Sequence, residues 1–146
     1  MTKESLKTGL IVVLLIATVV LFRQYYIYKV QVEICDLHSV QLEFYSARNF
    51  MESAENENEW EMGANWIFFA NQAFPTYPQG EVAQRVLEVC KALPNLEYGS
   101  KEYEEAKALL TTKVVVQGKF SPHEAYLTID DEDSFEQLEE ILGIQQ

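Results

Sequence analysis

Apolar residues are nowhere denser than in the run Gly-Leu-Ile-Val-Val-Leu-Leu-Ile-Ala-Thr-Val-Val-Leu-Phe from Gly9 to Phe22. Thr8 to Phe22 is fifteen uncharged residues, roughly 22 Å of helix at ~1.5 Å per residue, which alone falls short of a ~30 Å hydrocarbon core. The flanks make up the difference. Leu6 extends the apolar stretch, Lys7 and Arg23 can carry their charges out to the headgroups, and Tyr25, Tyr26 and Tyr28 suit the interfacial aromatic belt. The pattern predicts a short basic tail over 1–7 and a transmembrane anchor over 8–28. A cleaved signal peptide is the competing reading. It requires small residues before a cut, and none of Ala, Gly or Ser occurs between Phe22 and Ser39. Val32, Glu33 and Ile34 ahead of Cys35 do not form a lipobox either.

Beyond the run, neither Gly nor Pro occurs between Leu10 and Met62, so the anchor is expected to continue as one helix to about Met51. Ile27, Val30, Ile34, Leu37, Phe44 and Met51 follow heptad spacing, with Gln41 and Arg48 on the same seam, and Val32, Val40 and Leu42 widen the apolar face. That face is expected to pack on the chain's own domain. The residues Val30, Ile34, Leu37, Gln41, Phe44 and Arg48 are also the candidate seam for self-association or for a foreign helix.

Four shorter helices follow from the same periodicity. One covers Trp60 to Phe74, with Trp66, Ile67, Phe69, Ala70, Ala73 and Phe74 as its apolar face; the next runs from Glu81 to Leu93 on Val82, Val86, Val89, Cys90 and Leu93, stopped by Pro94. Together they are expected to form an antiparallel hairpin. A further helix begins at Ser100 with Tyr103, Ala106, Leu109 and Leu110. From Thr111 the β-branched run favours strand, which leaves two readings. In one, Gly118 stops a helix and Ser121-Pro-His-Glu124 caps another; in the other, Lys113–Gln117 pairs with Ala125–Asp130 as a hairpin. The tail reads as a helix capped by Ser134 and Gln137, with Phe135, Leu138, Ile141 and Leu142 inward and Gly143 near its stop. The fold class expected is therefore mainly α: a single transmembrane helix continuous with a long juxtamembrane helix, packed with a small helical domain over 29–146 that holds at most a short hairpin near 113–130.

Trp66, Phe69, Ala70 and Pro94 lie at offsets that resemble one tetratricopeptide unit. Val82 and Val89 stand where such a unit carries small residues, and no second copy follows 34 residues on. The resemblance covers about a fifth of the chain and implies a protein-binding scaffold.

Charge separates the two ends. Residues 1–30 hold Lys3, Lys7, Arg23 and Lys29 against Glu4, a sum of +3, so a net charge of −12 leaves −15 on the remainder. Such a domain is repelled by phosphate backbones, which disfavours nucleic acid; the acidity reads either as what keeps the domain soluble or as a preference for a basic protein partner. Lysine and arginine are balanced on the two sides of the anchor. A short basic N-terminus ahead of a first apolar helix then places residue 1 in the cytoplasm and the domain outside it.

Candidate chemistry is sparse. Glu52, Glu55, Glu57 and Glu59 lack histidine and calcium-loop spacing, and the acids Asp130 to Asp133 read as helix capping. Cys35, His38, Cys90 and His123 hold only one pair at ligand spacing. Cys35 and Cys90 are a candidate disulfide in an oxidising compartment; otherwise they read as small apolar residues. No phosphate-binding glycine loop, nucleophile elbow, dinucleotide fingerprint or haem motif is present, so the expectation is a non-enzymatic, cofactor-free, membrane-tethered interaction or accessory module that binds the bilayer and another protein. The alternatives are a self-associating envelope or phage lysis component, and a small enzyme with a pocket near Trp66, Tyr98 or His123.

Overall fold

The computed structural model describes residues 3–73, 80–117 and 125–144, with side chains over 7–67, 80–117 and 125–144. Its first element is a single helix, α1, from Lys3 to Ser53, fifty-one residues without a break. The absence of Gly9-to-Gly63 helix breakers explains the continuity. Every residue from Lys7 to Lys29 is exposed on this helix, and the apolar stretch within it is long and hydrophobic enough to cross a membrane. Inside the run, the one hydroxyl, Thr18, donates to the Leu14 carbonyl at 2.8 Å and so needs no outside partner.

From Leu37 onward α1 becomes the spine of a folded domain. Leu37, Val40, Phe44, Ala47 and Met51 are buried at spacings of three and four residues, the stripe that an α-helix turns towards a core. After Ser53 the chain reverses at Ala54–Asn56. Asn56 caps the next helix, α2 (Glu57–Ala73): its side-chain oxygen accepts from the Glu59 amide at 3.1 Å, while Glu59 accepts from the Glu55 amide at 2.9 Å. α2 lies mainly along α1, with Trp60, Ala64 and Ile67 inward. Gly63 permits the close approach, because a Cβ there would stand 2.6 Å from the Phe50 ring.

α3 (Glu81–Ala92) buries Ala83, Val86, Leu87, Val89 and Cys90 and runs into a single 3₁₀ turn at Leu93–Asn95, with Pro94 inside it. α4 (Lys101–Leu109) starts as expected at Ser100, whose hydroxyl accepts from the Tyr103 amide at 3.0 Å. Tyr103 is the aromatic centre of this half: it meets Trp60 edge-on at 5.0 Å and Tyr98 at 5.2 Å between centroids, and its hydroxyl reaches the Met51 carbonyl. Trp66, expected on the inward apolar face of its helix, is instead 65% exposed.

The ambiguous stretch resolves as the hairpin. β1 (Val114–Gln117) pairs antiparallel with β2 (Tyr126–Ile129), Val114 opposite Ile129 and Gln117 opposite Tyr126. The capping box at Ser121–Glu124 falls outside the described residues, and the chain that follows it is strand rather than helix. The final helix, α5 (Glu132–Ile141), is capped by Asp131, not Ser134; Asp131 accepts from both the amide and the hydroxyl of Ser134. The cap moves three residues earlier because a carboxylate at the helix start satisfies the same amides and complements the dipole. Gly143, at φ 68°, closes α5 through amide bonds from Gly143 and Ile144 back to Glu140 and Glu139. The described architecture is thus mainly helical, five α-helices with one two-stranded sheet, all gathered on the distal half of α1.

Candidate functional site

The anchor residues Lys7, Arg23, Tyr25, Tyr26 and Tyr28 all stand exposed on α1, which is where an interfacial role would need them. The seam is divided. Leu37 and Phe44 are buried in the chain's own core, while Val30 and Ile34 are half-buried below it. Gln41 is turned to the sheet: its amide donates to the Val114 carbonyl at 2.8 Å, beside the Tyr45 hydroxyl on the same oxygen at 3.1 Å. Its own oxygen lies 3.2 Å from the His38 ring. Arg48 pairs with Glu52 one turn along the helix at 2.8 Å. The buried stripe therefore takes Val40 and Ala47, each one residue before the polar positions assigned to the seam.

Both cysteines are free. Cys35 is exposed, whereas Cys90 is fully buried, so the bridge considered between them is not formed. Burial, followed by the nearby charge of Glu43, pushes the Cys90 thiol far above its ordinary range, the setting of a buried structural cysteine. Among the described residues no group of His, Cys, Asp and Glu could hold a metal ion. His123 lies outside those residues, as do the side chains of Phe69 and Ala70.

What the sequence did not reveal is a groove along the α1–α2 contact. Two adjoining hollows share Phe50 and Trp66 as a common wall. One, of about 170 Å³, is lined by Ser39, Leu42, Glu43, Ser46 and Ile67; the other, of about 460 Å³, by Ser53, Ala54, Glu59, Met62 and Gly63. The wall is an edge-on aromatic pair with centroids 5.2 Å apart. Leu42, Met62 and Trp66, on the rim, are each more than 60% exposed. The serine hydroxyls are already used, Ser39 donating to Cys35 and Ser46 to Leu42 carbonyls.

Glu43 makes the groove chemically specific. It is 8% exposed, and its Oε2 has no hydrogen-bond partner among the described residues. Burial raises its carboxyl pKa above the ordinary value; the Lys91 charge on α3 opposes this but acts less strongly. A carboxylate sunk in apolar surroundings is an acceptor in want of a donor. Further along, Glu59 lines the adjoining hollow, Glu52, Glu55, Glu57 and Glu61 are exposed, and no lysine or arginine occurs between Arg48 and Arg85. Sequence offered one signal, Glu43 lying among Val40, Leu42 and Phe44, but an isolated acid on a helix reads first as solvated.

No family model, curated protein or solved structure matches this chain.

Proposed function

We propose that the chain is a membrane-tethered interaction module: the exposed apolar part of α1 anchors it in a bilayer, and the groove between α1 and α2 receives a segment of another protein. The observation that carries this reading is the groove itself, an aromatic-walled apolar surface around a buried carboxylate with one oxygen that has no partner among the described residues. Contiguous exposed apolar surface with a few fixed polar groups is what a binding site presents. The exposed run from Lys7 to Lys29 supports the tether, spanning roughly 33 Å at ~1.5 Å per residue. In the proposed orientation the N-terminus is cytoplasmic and the domain outside, with lipid and protein as partners and no nucleic acid. Self-association through the heptad seam has less support, because Leu37 and Phe44 are already covered.

A photo-crosslinking residue in place of Leu42, in the full chain in its native membranes, tests the reading. The expected product is an adduct with a different protein, lost when Trp66 is changed to Ala. Only homodimeric adducts, or none, would remove the proposal.

A further inference from the structure

Resting on that reading, we infer that the groove's occupant is a basic, apolar helical segment of a second membrane protein, carrying one lysine or arginine that pairs with Glu43. Glu43 is more than nine-tenths buried, its Oε2 has no hydrogen-bond donor among the described residues although the Lys91 charge acts on it from α3, and it lines the groove rather than facing the core alone. A cationic side chain supplies what that oxygen lacks, and its aliphatic stem is compatible with Leu42, Phe50, Ile67 and the Trp66 ring.

Charge selects the same occupant. Glu59 lines the second hollow and four more exposed glutamates lie near it in sequence between Glu52 and Glu61, so an approaching basic segment is attracted before contact and an acidic one is repelled. A second copy of this chain would bring its own acidic domain to the site, and the net charge of −12 opposes that. The groove also has the form of a helix seat. Ser39, Leu42, Glu43, Ser46 and Phe50 lie on one side of α1 at three-, one- and four-residue steps, with the small serines allowing a neighbouring helix to approach.

Position narrows the partner further. Leu42 to Phe50 lies 14 to 22 residues beyond Tyr28, roughly 21–33 Å along an unbroken helix. A helix that leaves the same bilayer and runs beside α1 would reach this stretch after a similar distance. The occupant is thus the juxtamembrane part of a membrane protein, docking as a helix in a groove.

The test uses the full chain in neutral phosphatidylcholine nanodiscs and three labelled amphipathic peptides, identical except for lysine, norleucine or glutamate at the central groove-facing position. Anisotropy is expected to show the lysine peptide binding at least tenfold more tightly than the norleucine peptide, and the glutamate peptide weakest. Glu43→Gln should collapse the lysine preference towards unity while leaving norleucine binding in place, and Trp66→Ala should weaken the lysine and norleucine peptides in parallel; thermal melts establish that both variants fold. Equal affinities for the three peptides, a lysine preference that survives Glu43→Gln, or no binding to the chain above empty nanodiscs would each overturn the inference. If the Leu42 adduct with a different protein persists in that case, the tethered-module reading stands and only the cation pairing fails.

Discussion

Arg85 and Glu139, fifty-four residues apart, meet through two parallel hydrogen bonds, Nε to Oε1 at 2.8 Å and Nη2 to Oε2 at 2.7 Å. Glu139 is 2% exposed, so its charge is carried by this fork. The guanidinium also pairs with Glu132 and lies over the Phe135 ring at 5.3 Å from its centroid, tying α3 to both ends of α5. Removing Arg85 takes a bidentate partner from a buried carboxylate. Arg85→Ala is expected to cost ~3–5 kcal/mol, whereas joint replacement by Arg85→Met and Glu139→Leu should recover most of that loss. Urea denaturation of the three variants measures it, and equal losses for single and double variants would contradict the account.

Gly63 is expected to tolerate no side chain. Alanine ordinarily gains about 1 kcal/mol over glycine within a helix, but here the added methyl would meet the Phe50 ring at 2.6 Å. The clash should outweigh the propensity and leave Gly63→Ala about 1–3 kcal/mol less stable. Pairing it with Phe50→Leu should restore part of the loss, which a melting series would reveal.

Glu43 gives stability an unusual pH dependence. Its folded pKa is raised above the ordinary 4.5, burial being the main cause and Lys91 the opposing one. The folded state therefore holds the proton more tightly than the unfolded chain, so this residue's contribution is fully favourable below the unfolded pKa and is lost as pH rises through the folded one. Glu43→Gln removes the cost of the buried charge. The variant should be more stable than the parent at neutral pH, with the difference shrinking as pH falls towards 4.5; a difference independent of pH would refute the assignment.

Gln41 and Arg48 should respond differently to leucine. Gln41 supplies a donor to the Val114 carbonyl, shared with Tyr45, and Gln41→Leu is expected to cost ~1 kcal/mol. Among the described residues Arg48 makes a local pair with Glu52, and Arg48→Leu should remain within about 0.5 kcal/mol. If these residues instead faced a second copy, the double leucine variant would tighten self-association, which analytical ultracentrifugation would detect.

These two residues also show where the sequence was legible. The long helix, its heptad rhythm and Leu37, Phe44 and Met51 within it followed from spacing alone, because periodicity survives a one-residue error at intervening sites. Which of Val40 or Gln41, and of Ala47 or Arg48, faces inward depends on the register of the hairpin against α1, and spacing cannot supply that. The Ser100 cap was legible as local chemistry. The Asp131 cap was obscured by a neighbouring serine with the same capacity. Trp66 read as core because aromatic residues usually are, and its exposure emerges only once Trp60 and Tyr103 have filled the interior. The fork between Arg85 and Glu139 and the groove around Glu43 join elements distant in sequence, so no local pattern announces them.

In the proposed membrane setting, the unbroken α1 would make the domain the far end of a lever. With no hinge between the exposed apolar stretch and Ser53, a tilt of ~20°, usual for membrane helices, would sweep Leu42 to Phe50 sideways by roughly 10 Å over the ~30 Å of helix that separates them from the interface. Bilayer thickness would then act as a setting on where the acidic groove hangs, and a lipid mixture that changes the helix's lean would change which neighbours it can reach without altering a single contact inside the domain.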